Sequence, residues 1–247
     1  MLFEDRARAG VATYLTFFHS VRGLAGLAVD GSGARTQRVA LEWGKAMAKH
    51  AGVETEVHGL RPELFDSPVI IMANHASHFD IPLLLSVLPR CPGFLAKKEL
   101  FDFPVFGPAM KGIRCIPINR ADRKQSLEAI EEAAGLVREG GRLVVFPEGT
   151  RGNGKQLRSL KKGPFHLVQR ARVPIVPVGL VGTASICPRD TFKVYPGKVT
   201  IRFGEPIVFE KERPQNLAAE RRALMDRVAE ALSDLSGLPR STGADDD

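Results

Sequence analysis

The segment Val69-Ile70-Ile71-Met72-Ala73-Asn74-His75-Ala76-Ser77-His78-Phe79-Asp80 decides how the rest of the chain is read. Its first five residues are apolar without interruption, the pattern of a strand buried on both faces. The run stops abruptly in a polar stretch with two histidines and a carboxylate. Further short Val/Ile-rich runs follow at Gly93–Ala96, Ile113–Ile118, Leu143–Phe146, Ile175–Leu180 and Val199–Phe203. Helical patterns lie between several of them. Arg123–Glu139 places Leu127, Ile130, Ala134 and Val137 on one face; Leu160–Ala171 and Leu217–Leu235 are two more. Strands alternating with helices predict an α/β domain with a largely parallel central sheet flanked by helices.

Upstream of this domain, residues 3–50 read as helical with a flexible break at Asp30-Gly31-Ser32-Gly33, which predicts an N-terminal helical hairpin. Val11–Val29 holds Tyr14, Leu15, Phe17, Phe18, Leu24 and Leu27, but also His19, Arg22 and two glycines. That is too interrupted for a conventional membrane span. It fits a helix lying in a membrane interface, or one packed on the protein's own core. The opening Met-Leu-Phe-Glu-Asp-Arg places acids where a secretory signal carries only positive charge. The expected organisation is a membrane-associating hairpin at 1–50, an α/β domain at 51–238 and a disordered acidic tail at 239–247.

Composition narrows the function classes. The 247 residues are 44% hydrophobic and 26% charged, which excludes wholesale disorder. Lys plus Arg number 35 against 28 Asp plus Glu, a formal net charge of +7 that suits an anionic partner: phosphate ligands, nucleic acid or an acidic membrane. Arg151–Arg172 alone holds seven bases and no acid, but only Phe165 is interleaved as an aromatic, so nucleic acid is not expected. Cys91, Cys115 and Cys187 form no C-x-x-C pair, which disfavours a disulfide framework or zinc finger and suits a reducing compartment. Neither H-E-x-x-H, G-x-S-x-G nor G-x-G-x-x-G occurs, so no metal site, hydrolase elbow or dinucleotide is expected. Gly149–Lys155 satisfies G-x-x-x-x-G-K, but Gln156 stands where a P-loop needs Ser or Thr.

Three strand ends carry candidate chemistry. His75 follows Val69–Ala73, at the edge where α/β sheets build sites, and can act as a general base. Asp80 could fix its tautomer, but five positions along a regular helix would set the two about 140° apart. They meet only if the chain turns between strand and helix; otherwise Asn74, Ser77 or Asp80 is simply a cap. Phe146-Pro147-Glu148-Gly149-Thr150-Arg151 follows a second strand and can offer N–H groups and a guanidinium to an anion. A third strand ends in Ile118-Asn119-Arg120, and Lys97 and Lys98 follow a fourth.

Together these residues resemble the glycerolipid acyltransferase family, typified by 1-acylglycerol-3-phosphate O-acyltransferases. The N-H-x-x-x-x-D block is Asn74, His75 and Asp80. The strand ending in Arg is Ile116-Pro117-Ile118-Asn119-Arg120, where Pro117 and Asn119 replace typical residues. The Phe-Pro-Glu-Gly-Thr-Arg block is matched at 146–151 and the Val-Pro-Ile-Val-Pro-Val block at 173–178, over roughly residues 40–210 in all.

The resemblance implies that His75 deprotonates an acceptor hydroxyl and that Asp80 orients His75. Acyl-CoA or acyl-carrier protein would be the donor, with no metal or other cofactor. It further implies that Arg120 and Arg151 hold the acceptor's phosphate, that Glu148, Gly149 and Thr150 shape that end of the site, and that Lys97 and Lys98 are further phosphate ligands. The expected reaction acylates 1-acylglycerol-3-phosphate to phosphatidic acid in phospholipid biosynthesis, on the cytoplasmic face of a membrane, peripheral or shallowly inserted. Alternatives are another acceptor (glycerol-3-phosphate or a lyso-aminolipid) and a non-catalytic basic lipid- or nucleic-acid-binding module.

Overall fold

Asp30 builds the first turn of the chain: its carboxylate accepts the N–H groups of Ser32, Gly33 and Arg35. It thereby ends α1 (Leu2–Asp30) and starts α2 (Ala34–Ala51). The computed structural model describes residues 2–209 and 215–241, with side chains from Arg8 onward. After the hairpin the order is β1 (Val53–His58), β2 (Val69–Ala73), α3 (Asp80–Val87), β3 (Gly93–Lys97), α4 (Phe106–Gly112), β4 (Ile116–Ile118), α5 (Arg123–Arg138), β5 (Arg142–Val145), α6 (Lys162–Ala171), β6 (Ile175–Val181), α7 (Thr183–Ile186), β7 (Gly197–Phe203) and α8 (Leu217–Ser236).

The seven strands form one sheet in the order β1-β7-β6-β2-β5-β3-β4. Five of them, β6 through β4, run parallel, with Ile71 of β2 opposite Val144 of β5 and Val176 of β6. β7 runs antiparallel to β6 and parallel to β1, so the far edge is a reversed pair. This is the largely parallel sheet with flanking helices and an N-terminal hairpin that the alternation predicts.

Successive residues of β2 alternate between two cores. Ile71 and Ala73 pack with Leu83 and Leu84 of α3 and Met47 of α2; Ile70 and Met72 pack with α5, α6 and α8 through Ile130, Phe165 and Val228. The hairpin is thus fixed to one face of the sheet. Gly44 of α2 seats it, since a Cβ there would lie 2.7 Å from both Leu85 Cβ and Pro82 O of α3.

The hairpin's polarity is inverted. Polar groups lie between the helices: Thr36 Oγ1 donates to Gly23 O at 2.7 Å, Trp43 Nε1 to Thr16 Oγ1 at 3.2 Å, and His19 and Ser20 are buried. Val11, Tyr14, Phe17, Phe18 and Val21, at one-face spacing on α1, are exposed. Among the described residues no helix is long and apolar enough to cross a membrane.

Some sequence expectations change. β1 has no apolar run because it alternates half-buried and exposed residues at the sheet's edge. The strand expected from Ile113 begins at Ile116; Gly112 and Ile113 close α4, and Arg114 turns with φ 62. α6 starts at Lys162 rather than Leu160, since Lys161 is extended. Of the tail expected at 239–247, Pro239–Ser241 are held: Leu157 N–H donates to Pro239 O and Ser241 N–H to Leu157 O. Residues 242–247 lie outside the described residues.

Candidate active site

The ends of β6, β2, β5, β3 and β4 share one edge of the sheet, the carboxyl edge, where side chains and helix starts converge. Asn74 follows β2 at this edge. Its amide continues the pairing with β6 after the ladder ends: Nδ2 donates to Leu180 O at 2.9 Å and Leu180 N–H donates to Oδ1 at 2.7 Å. The chain then turns before α3 begins. Ser77 Oγ accepts the Phe79 N–H and donates to Cys187 O, tying the turn to the segment after α7.

This turn brings the expected pair together. Asp80 Oδ2 lies 2.6 Å from His75 Nδ1 and accepts the N–H groups of Ala76 at 2.8 Å and Ser77 at 2.9 Å. The separation on a regular helix does not apply, because residues 74–79 are not helical. Asp80 is fully buried and the His75 side chain is 17% exposed. An oxygen already accepting two backbone donors takes the Nδ1 proton as its third, which leaves the Nε2 lone pair free to accept a proton. The ring stacks on Phe146, centroid to centroid 4.0 Å, which fixes its plane.

The main chain of His75 is held as firmly as its ring. Its N–H donates to Glu148 Oε1 at 2.6 Å, and its carbonyl accepts the Gly152 N–H at 2.7 Å. The other Glu148 oxygen accepts the Arg158 N–H at 3.0 Å. Residues 147–161 therefore form an Ω-loop, closed at its base by Lys161 N–H to Pro147 O at 2.8 Å and organised around Glu148. Burial pushes the Glu148 carboxyl up to about 7, against the opposing pull of these backbone donors. Buried, with each oxygen accepting a backbone N–H, Glu148 braces the loop. Gly149, at φ 77 and half-buried, makes the turn after it, and Thr150 stands next to it in the same turn, exposed.

The expected cations fan out along the edge without forming one cluster. Arg151 donates from Nη1 to Arg189 O at 3.0 Å and lies near His78. Burial, Arg151 and His75 all lower the proton affinity of His78, whose ring stacks on Phe192 at 5.5 Å. Arg120 lies two residues past β4, a strand three places from β2, roughly 14 Å at about 4.8 Å per strand. Lys97 pairs with Glu99, and Lys98 donates to Gln125 Oε1. Arg120 and Arg151 leave the edge after different strands, β4 and β5. Sequence reasoning named Ser77 only as a possible cap and gave Phe146, Gly152 and Arg158 no role of their own in the site. Phe146 was visible as the first letter of the Phe-Pro-Glu-Gly-Thr-Arg block; the others act through the backbone or by position and leave no side-chain signature. Among the described residues no group of His, Cys, Asp and Glu is arranged to hold a metal ion.

Beside His78, three residues from His75, opens an apolar cavity of about 720 Å³ between the hairpin and the α/β domain. Ala12, Trp43, Leu85, Phe94 and Met110 are among its walls. At its rim Phe17, Phe103 and Phe192 are 58%, 57% and 78% exposed.

Comparison with known proteins identifies the family. The family profile described as Acyltransferase matches residues 54–181, from β1 to the end of β6. A 1-acyl-sn-glycerol-3-phosphate acyltransferase of Chlamydomonas reinhardtii is 35% identical over 175 residues, 70% of this chain and 49% of that protein. The protein of the same name from Saccharomyces cerevisiae is 29% identical, over 76% of this chain and 63% of its own length. The chain spans about half the length of the first curated relatives it matches. The crystal structure of the 1-acyl-sn-glycerophosphate (LPA) acyltransferase PlsC from Thermotoga maritima superposes with a TM-score of 0.71 at 25% identity, covering 94% of this chain and 97% of that one. With over half its length matched by that profile, the chain belongs to the acyltransferase family.

Proposed function

We propose that this protein transfers a fatty acyl group from a thioester donor, acyl-CoA or acyl-carrier protein, to the free hydroxyl of 1-acylglycerol-3-phosphate, giving phosphatidic acid. The observation that carries this reading is the His75–Asp80 pair, held from both main chain and ring beside an apolar cavity sized for a lipid chain. His75 Nε2 takes the acceptor's hydroxyl proton as the oxygen attacks the thioester carbonyl. The new C–O ester bond forms and the C–S bond breaks. The proton held on the imidazolium passes to the departing thiolate. Asp80 stabilises the imidazolium between these two events. The proton moves without a metal or other cofactor. Arg151, the cation nearest His78, takes the acceptor's phosphate, with Arg120, Lys97 and Lys98 as outer cations along the same edge. The donor's acyl chain lies in the cavity, each buried methylene adding about 0.8 kcal/mol.

The names of the relatives and the Thermotoga structure support the acceptor. The exposed aromatics on α1 and around the cavity rim support a place on a membrane surface, where the lysolipid acceptor is found.

The test is acyl transfer with purified protein, oleoyl-CoA or oleoyl-carrier protein, and a panel of lysolipids, with products read by mass. His75→Ala should lose at least about 10²-fold in turnover. Asp80→Asn should also fall heavily, because an amide supports the imidazolium less well. His78→Ala, which lacks the carboxylate partner, should keep most of its turnover. Full turnover in His75→Ala would remove the general base and with it this mechanism.

A further inference from the structure

The seven cations between Arg151 and Arg172 do not share one role. Arg151 is engaged by Arg189 O, Arg158 lies inside the Ω-loop beside Glu148, Arg170 pairs with Glu131 and Arg172 with Glu220. Lys155, Lys161 and Lys162 are exposed, and among the described residues no carboxylate pairs with them. Two of these three open α6 and face a continuing run of positive charge. His166, one turn further on, is depressed in proton affinity by burial and then by Arg221, Arg170 and Lys162, which places these cations around one patch. Arg221 reaches it from α8 and donates to Gln169 Oε1.

The patch touches the reacting edge. Lys161 crosses the turn after Glu148: a Cβ on Gly149 would lie 3.1 Å from Lys161 Cγ, so glycine leaves the space for the lysine's stem. The patch is also on the sheet face covered by α5, α6 and α8, whereas the cavity and the exposed aromatics are on the hairpin's face. A thioester with its chain in the cavity and its carbonyl at His75 must carry its remaining part across this edge. That part is a pantetheine arm ending in a phosphate, in CoA and in acyl-carrier protein alike.

We propose that Lys161, Lys162 and Arg221 form the docking site for the phosphate-bearing end of the acyl donor. This rests on the transfer reading above and divides the two substrates by face, acceptor from the lipid side and donor carrier from the basic side. The patch is exposed, so its attraction is screened by salt.

The experiment is steady-state kinetics of the full chain carrying Lys161→Ala with Lys162→Ala, using oleoyl-CoA, oleoyl-carrier protein and oleoyl-pantetheine, which lacks the phosphate. The expected result is a rise of about tenfold in the KM of the phosphorylated donors at low salt, shrinking as salt rises, with the acceptor's KM unmoved. Oleoyl-pantetheine should show equal KM values for wild type and variant, and Lys161→Arg with Lys162→Arg should restore the phosphorylated donors. A rise confined to one phosphorylated donor identifies the carrier. An unchanged donor KM, or an equal rise with oleoyl-pantetheine, overturns the proposal. If wild type transfers to no acceptor, the transfer reading fails by itself. Titration with CoA then decides the patch: about tenfold weaker binding in the variant supports it and equal binding overturns it.

Discussion

Glu148 is the residue whose environment most exceeds what its letter conveys. In the unfolded chain its carboxyl ionises near the ordinary 4.5, while burial holds it near 7 in the folded protein. Between those values the folded state binds more protons than the unfolded one, so the stability this group contributes is complete below 4.5 and declines as pH rises through 7. The decline amounts to about 3 kcal/mol. Glu148→Gln removes the titration, although its amide can satisfy only one of the two backbone donors. Urea unfolding from about pH 5 to about pH 8 should therefore show wild type losing roughly that much relative to the variant. Parallel curves would mean that the carboxyl ionises normally. Much of the site was legible at this scale: the spacing of His75 and Asp80 and the block at 146–151 pointed to the residues now found at one edge. The brace was not legible, because Glu148 works on backbone N–H groups 73 and 10 positions away, and nothing in those residues' identities records it.

At the scale of elements, Gly44 tests how the hairpin is seated. Alanine at a helix interior usually gains about 1 kcal/mol over glycine. Here the added Cβ would meet Leu85 Cβ and Pro82 O at 2.7 Å, and a backbone oxygen cannot swing aside. Gly44→Ala should therefore destabilise by about 1–3 kcal/mol, opposite in sign to its propensity. Gly10→Ala on α1, with nothing within 4 Å, should stabilise or be neutral. Thermal unfolding of both variants decides, and a more stable Gly44→Ala would show that α2 is not tightly seated on α3. Elements with continuous apolar runs, such as β2 and β6, were plain in the sequence because burial on both faces demands such runs. β1 was hidden by its edge position, which leaves every second residue of Val-Glu-Thr-Glu-Val-His exposed. α4 was hidden by the glycines and proline of Phe-Gly-Pro-Ala-Met-Lys-Gly. The reversed direction of β1 and β7 depends on pairing between distant segments, to which periodicity is blind.

Across the whole molecule, exposed apolar groups from three separate segments surround one opening. Phe17 comes from α1, Phe103 precedes α4, and Phe192 lies between α7 and β7. Membrane binding should accordingly be shared. Phe103→Ser with Phe192→Ser should lower partition onto anionic vesicles by at least about 10²-fold while the hairpin is intact, since each lost aromatic forfeits about 1.5–3 kcal/mol of burial. Removal of residues 1–33 should weaken it further. If the double variant sediments as wild type does, the hairpin alone anchors the protein. The order in which the chain is made gives the inverted hairpin a further meaning. β1, which follows α2 directly, has only β7 as a neighbour in the sheet, and Val53 pairs with Gly197. A ribosome adding roughly 5–20 residues per second takes on the order of ten seconds to pass from one to the other. Throughout that interval β1 lacks its partner, while the hairpin's aromatic face is already complete. On the proposed membrane-surface reading, that face is on offer to lipid before the edge strand has found its partner.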